Sequence, residues 1–202
     1  MAEPRRTALI LLAAGASRRM AQPKQLLPVG GKPLLRHVVD AAVSPETSPF
    51  IVVLGAGAEA LRPCLEGTAV HVAVHEGWAE GMGSSLRAGI NLLATLSPEA
   101  TGVVVALADQ PNFSRRTIQQ LLAEQARSGR AIVATECGGT VMPPVYFSSE
   151  YFPELAALTG DTGARALLQR HRGDLATVRL EEMVDLDTAE DYARFRQGGR
   201  AD

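Results

Sequence analysis

Between Leu11 and Pro28 the chain reads LLAAGASRRMAQPKQLLP. An apolar run breaks at Gly15, Ala16 and Ser17, and the cations Arg18, Arg19 and Lys24 follow. A turn of small residues lets backbone N–H groups approach an anion closely. Arg19 and Lys24 add charge that does not depend on a helix dipole. Together these are the requirements of a polyphosphate, although a solvated basic loop has the same composition. The Walker pattern is absent, because GASRRMAQPK lacks its second glycine. The three-glycine dinucleotide fingerprint is absent from this loop, which holds Gly15 alone. A carboxylate of matching chemistry, Asp109, closes the run GVVVALADQP at 102–111. At a strand end it either holds a divalent cation against phosphates or caps the DQPNFS turn.

Strand-like and helix-like segments alternate around these residues. ALILLAA at 8–14 is continuously apolar, as expected of a strand buried on both faces. Its arginine-led start imitates a secretory signal, but the run is at the short end for one and reads instead as a strand and turn. PLLRHVVDAAV at 33–43 predicts a helix with Pro33 in its first turn. FIVVLG at 50–55 predicts a strand, AEALRPCL a short helix kinked by Pro63, and AVHVAVH at 69–75 a third strand. SSLRAGINLLATL at 84–96 places Leu86, Ile90 and Leu93 on one helical face. Ser114 is expected to cap a helix holding Ile118, Leu121 and Leu122, and RAIVAT at 130–135 is expected to be a strand. PPVYF at 143–147 reads as an edge or antiparallel strand, LATVRL at 175–180 as another. Asp187 or Thr188 is expected to cap a last helix, with a tail frayed from Gln197. The expected fold is α/β and Rossmann-like: one domain over 1–202, with a core at about 7–196. Its sheet is expected to be mostly parallel and twisted, with helices on both faces and a short antiparallel addition in the later third.

Bulk properties narrow the function. The chain has 202 residues and 46% apolar content, enough for a real core and against disorder. Its 20 basic and 22 acidic residues give no basic excess for nucleic acid. No apolar stretch is long enough to span a bilayer, so a soluble, cytoplasmic protein without a membrane partner is expected. Cys64 and Cys137 are too few for a disulfide scaffold and are expected to be reduced thiols. The four histidines lack helical metal-site spacing, and His71 and His75 read as part of a solvated strand.

The string LAAGASRRMAQPKQLLPVGGKPLL resembles the signature loop of nucleotidyltransferases that join an NTP to a phosphorylated acceptor. WAEGMGSSLRAGI, ALADQP, GTVMPPVYF, LTGDTGARALL and DLDTAEDYARF follow in the order found in the molybdopterin nucleotidyltransferases. Within these MobA/MocA-like NTP transferases they are similar to the CTP:molybdopterin cytidylyltransferase group. The combination of GMGSSL, DQP and GDTGAR is the most specific part. Two departures stand out. Ala21 replaces a glycine common after Arg-Met, which removes access to positive φ. Met142 and Pro143 stand where relatives often carry a small residue.

The resemblance implies transfer of CMP from CTP to molybdopterin with release of pyrophosphate, Mg²⁺-dependent, with Mn²⁺ as an alternative ion. The acceptor phosphate is already an anion, so the chemistry needs positioning and charge neutralisation rather than a general base. Arg19, Lys24 and Asp109 are then the catalytic residues. Leu12, Ala13, Ala14 and Gly15 lie near the base and phosphates. Ser84 and Ser85 cap the helix that follows them and reach the ribose or base. Asp109 and Asp185 hold the metal; Asp187 is left to the helix cap, although it and Asp185 point to one side of an extended chain with Leu186 between them. Asp161, Asp187 and Trp78 fall on the acceptor side, with helix capping as the other reading of Asp161 and a core position that of Trp78. Ala14 in place of a second glycine leans towards a pyrimidine. A molybdenum hydroxylase or its chaperone is the implied recipient of the product. The competing readings are a GTP-using guanylyltransferase, a sugar- or polyol-phosphate nucleotidyltransferase, a molybdenum-cofactor-binding accessory protein, and a fold recruited for redox chemistry on an aromatic heterocycle.

Overall fold

In a computed structural model, residues 6–20 and 22–198 are described. Ala21, and with it the expected loss of positive φ, lies outside them. Strand β1 (Thr7–Ala13) is buried along its whole length. The reason is its place: it pairs in parallel with β4 (Thr47–Leu54) on one side and β6 (Gly102–Leu107) on the other. A strand with sheet on both sides and helices on both faces has no solvent face, so a run with no polar alternation is what the position requires.

Two short strands, β2 (Pro28–Val29) and β3 (Lys32–Pro33), form a separate antiparallel ribbon that leads into α1 (Leu34–Ala42). Pro33 is the N-cap residue rather than part of the helix, with extended ψ of 142°. Then come α2 (Ala58–Leu61), β5 (His71–Val74), α3 (Met82–Leu96), α4 (Arg115–Ser128), β7 (Ile132–Cys137) and β8 (Thr140–Ser148). The chain closes with α5 (Phe152–Ala156), α6 (Arg165–Arg170), β9 (Leu175–Arg179) and α7 (Ala189–Gly198). Pro63 acts as expected: α2 stops at Leu61 and continues as a 3-10 turn over Arg62–Leu65.

The seven-stranded sheet has the order β5-β4-β1-β6-β8-β7-β9. Only β8 runs against its neighbours, β6 and β7. PPVYF is therefore antiparallel, but it is an interior strand, not an edge. Its prolines are tolerated because pairing with β6 ends at Val105–Val145, so Pro143 and Pro144 owe no hydrogen bond on that side. The core splits across the sheet. Leu9, Leu11 and Ala13 face α1, α2 and α4, while Ala8, Ile10 and Leu12 face α3, α5 and α6. Helix α3 sits close because Gly89 meets Ile10, where an added methyl would lie 2.8 Å from the Ile10 side chain.

Three further expectations change. Helix α3 begins at Met82, so Ser84 and Ser85 lie inside its first turn and do not cap it. Ser114 occupies the N-cap position of α4 but makes no side-chain capping bond. The last helix continues through Gln197 to Gly198, beyond the expected start of fraying. No helix among the described residues is long and apolar enough to cross a membrane.

Candidate active site

In a parallel sheet the ligand crevice lies beyond the carboxyl ends of the strands, where the strand order reverses. Here the chain moves outward from β1 through β4 to β5 and then returns to β6 on the other side. A cleft of about 570 Å³ opens at that end. One wall is the loop Ala14–Arg19 after β1; the others come from Trp78–Met82, Ala108–Asp109 and the closing segment.

Lys24, Asp109 and Asp187 meet in this cleft. Lys24 Nζ lies 2.6 Å from Asp109 Oδ2 and 2.9 Å from Asp187 Oδ1. Arg19 reaches the other oxygen of Asp187 at 2.9 Å, from an exposed position. The two acids come together because Leu186 N–H donates to the Asp109 carbonyl at 3.0 Å while the Leu186 side chain is fully buried. The DLD segment is thereby stitched to the end of β6. It is not the extended chain expected, since Asp187 N–H donates to the Asp185 carbonyl at 3.2 Å. Asp185 turns instead to Gln110 Nε2, at 2.9 Å.

The local electrostatics follow from that arrangement. Burial works against the Lys24 charge, but the charge and hydrogen bond of Asp109, joined by Asp187, outweigh it and raise its pKa. Burial also opposes ionisation of Asp187, and the hydrogen bond and charge of Lys24, with Arg19, reverse that and hold the carboxyl below its ordinary value. Asp185 has an exposed surface, yet protein crowds its carboxyl. That crowding, with the charges of Asp109 and Asp187, raises its pKa against the Gln110 hydrogen bond and Lys24. One oxygen of Asp109, Oδ1, is buried with no hydrogen-bond partner.

Thr188, not Asp187, caps α7. Its N–H and hydroxyl both approach Asp191 Oδ2, at 2.9 and 2.8 Å, and the Asp191 N–H returns to Thr188 Oγ1 at 3.1 Å. This is a reciprocal capping box with aspartate in the third position. The reason for setting Asp187 aside as a cap therefore falls, and both acids line the cleft. Replacing Thr188 with alanine is expected to cost about 1 kcal/mol of stability, read from a urea melt. Asp187→Asn is expected to flatten the acid side of the stability curve. A carboxyl whose folded pKa is depressed stabilises above its ordinary value near 3.8 and loses that contribution as pH falls through the folded value. Melts from pH 6 down to about 3 check this.

The remaining expected residues are distributed as follows. Leu12, Ala13, Ala14 and Gly15 line the cleft, the first three buried. Ser85 lines it, while Ser84 is fully buried, donates to the Gly81 carbonyl and pairs with His75 Nε2 at 2.8 Å. Ser84 has no surface to offer a nucleotide, and His75 belongs to this internal contact rather than to a solvated strand face. Trp78 is half-buried and both lines the cleft and packs on the α3 side of the core. Asp161 is an exposed cleft residue in a short turn; α6 starts at Arg165, so Asp161 does not cap it. Its carboxylate lies against Gly81, whose φ of +121° and lack of a side chain permit the contact.

Two buried polar residues were not foreseen. Gln25 and Gln110 are 2% and 0% exposed. Each directly follows a charged cleft residue, Lys24 or Asp109, and that adjacency is the only signal in the sequence. A second glycine pattern, Gly55-Ala56-Gly57-Ala58-Glu59-Ala60, follows β4 with the spacing of a dinucleotide fingerprint. Gly55 is instead filled by its neighbours: a methyl there would lie 2.6 Å from Trp78 and 2.8 Å from Ala14, and the helix after it has four residues. That loop offers no pyrophosphate cradle.

A mostly parallel sheet with a cationic small-residue loop facing carboxylates across its strand ends has the arrangement of the nucleotidyltransferase class. Residues 9–175 match the MobA-like NTP transferase domain, and the chain belongs to that family. It is 32% identical over 202 residues to purine catabolism protein PucB of Bacillus subtilis, covering 93% of this chain and 95% of PucB. It is 31% identical over 197 residues to nicotine blue oxidoreductase of Paenarthrobacter nicotinovorans, covering 93% and 92%. Among solved structures, Rv0371c of Mycobacterium tuberculosis superposes with a TM-score of 0.83 at 31% identity, covering 96% and 99%. A manganese complex of Rv0371c superposes with a TM-score of 0.74 at 30% identity, covering 95% and 98%.

Proposed function

We propose that this protein transfers CMP from CTP to molybdopterin and releases pyrophosphate. The observation that carries the reading is the meeting of Lys24, Asp109 and Asp187 in one cleft with the Gly15 loop. Lys24 and Arg19 neutralise phosphate charge, the loop amides orient the triphosphate, and the acceptor phosphate attacks the α-phosphorus. The first-motif and GMGSSL–DQP–GDTGAR resemblance supports molybdopterin as acceptor, and Ala14 supports a pyrimidine.

The donors fit a divalent ion. Asp109 Oδ1 is a buried acceptor without a protein partner, and one cation already bridges Asp109 and Asp187. Among the described residues no three metal-ligating side chains gather to form a cage. Mg²⁺ needs none, since one or two carboxylates plus substrate phosphates suffice. Asp109 with Asp187 would hold the ion, because one ammonium already spans them; Asp185 lines the same cleft with one oxygen on Gln110. The metal supplies neutralisation of the triphosphate charge, and the manganese complex of Rv0371c supports Mn²⁺ as a substitute. A recipient molybdenum hydroxylase or chaperone, and a cytoplasmic location, belong to the same proposal.

The test is pyrophosphate release with Mg²⁺ and each of CTP, GTP, UTP and ATP, with and without molybdopterin. Release requiring both CTP and molybdopterin is expected. Release with GTP instead overturns the base assignment, and release with a sugar phosphate alone overturns the acceptor. The likeness to nicotine blue oxidoreductase favours one second reading, reduction of an aromatic heterocycle. Substrate-dependent NAD(P)H oxidation without pyrophosphate release would establish it.

A further inference from the structure

We propose that Gln25 is the positioning residue that makes the loop after β1 receptive to an anion. The inference rests on the polyphosphate reading of that loop. A loop that offers N–H groups to a phosphate must find other partners for its carbonyls, since a carbonyl turned towards an anion repels it. Gln25 Nε2 donates to the Ala13 carbonyl at 3.1 Å and to the Gly15 carbonyl at 3.0 Å. A primary amide has two N–H groups, and here both are spent on carbonyls two residues apart. Its oxygen accepts from the Ser17 hydroxyl at 3.3 Å, and Ser17 Oγ in turn accepts the Lys24 N–H at 2.9 Å. The reverse orientation of the amide would set its oxygen against two carbonyl oxygens, so the network fixes the orientation.

The clamp also holds strain. Ser17 has φ of +52°, the one described non-glycine residue at positive φ. Such a conformation persists where its surroundings over-determine it. Here a Met20 N–H to the Ser17 carbonyl at 2.8 Å adds to the contacts with Gln25 and Lys24. Through Ser17 and through the chain, Gln25 sets the backbone from which the Lys24 side chain reaches Asp109. Other residues fail on identifiable grounds. Asparagine is too short, glutamate lacks both donors, and lysine would bring a charge into a position 2% exposed.

The test is calorimetric binding of inorganic pyrophosphate with Mg²⁺ to the full chain. Gln25→Met keeps the length of the side chain and removes the donors, and is expected to weaken binding about tenfold or more. Gln25→Glu is expected to weaken it further at neutral pH. It should recover relative to wild type as pH falls from about 8 to about 5.5, because a protonated carboxyl regains one donor. Wild-type affinity in Gln25→Met, or a Gln25→Glu-to-wild-type ratio constant with pH, would overturn the proposal. Absence of pyrophosphate binding by the wild-type chain would instead overturn the polyphosphate reading beneath it.

Discussion

Asp109→Asn is expected to lower the rate of pyrophosphate release by about 100-fold or more while leaving the folded protein no less stable. The two effects separate because Asp109 contributes little net stability where it stands. One carboxylate oxygen binds Lys24, but the other is buried without a partner, and that charge is desolvated at a cost. Asparagine keeps the shape and an acceptor for Lys24, and Asp187 still pairs with the ammonium. Function needs the lost charge, because the reading of Asp109 as a metal ligand depends on an anionic carboxylate lining the cleft. Initial rates with CTP and molybdopterin, set beside a urea melt of the same variant, check both halves. A variant that releases pyrophosphate at the wild-type rate would remove Asp109 from the chemistry.

Lys24→Met is expected to be damaging on both counts. The rate should again fall by about 100-fold or more, since a fixed cation beside the phosphates is lost. Stability at neutral pH should also fall by about 3 kcal/mol, because removing one partner of a largely buried pair leaves the other charge uncompensated. Lys24 and Asp109 side chains are 14% and 16% exposed, which places them in that regime. Asp187 is more open and keeps Arg19, so the loss is expected to fall mainly on Asp109. A double-mutant cycle tests this directly: Lys24→Met combined with Asp109→Asn should be more stable than Lys24→Met alone. Equal stability of the single and double variants would show that the pair is not coupled.

The distribution of polar groups supports the proposed role of these residues in chemistry rather than in the fold. Around Lys24 stand three carboxylates, Asp109, Asp185 and Asp187, and Asp185 has its pKa raised by crowding and by the other two charges. A site that held only its own salt bridges would not gather this excess of negative charge beside a single buried cation. A stability cost at a functional site is the usual trade.

Much of the architecture was legible in local patterning. Runs such as ALILLAA and GVVVAL have no polar alternation, which only a doubly covered parallel strand tolerates, and their alternation with amphipathic helices implied the parallel sheet. The small residues at Gly15–Ser17 and the acid after β6 marked the strand ends that carry the cleft. What misled was positional. Prolines in PPVYF suggested an edge, because sequence does not reveal that β6 stops pairing at Val105. Two serines before an apolar stripe suggested caps, although α3 starts at Met82.

The sequence by itself determined the residue types, the strand ends and the cationic small-residue character of the loop, since these follow from side-chain size, charge and periodicity within a few positions. Only the tertiary structure decided which acid shares Lys24, which acid turns to Gln110, and that Thr188 frees Asp187 from capping. Lys24 lies 85 positions from Asp109 and 163 from Asp187. Contacts at such separations are set by the order of strands in the sheet and by burial of Leu186, and no local pattern encodes either.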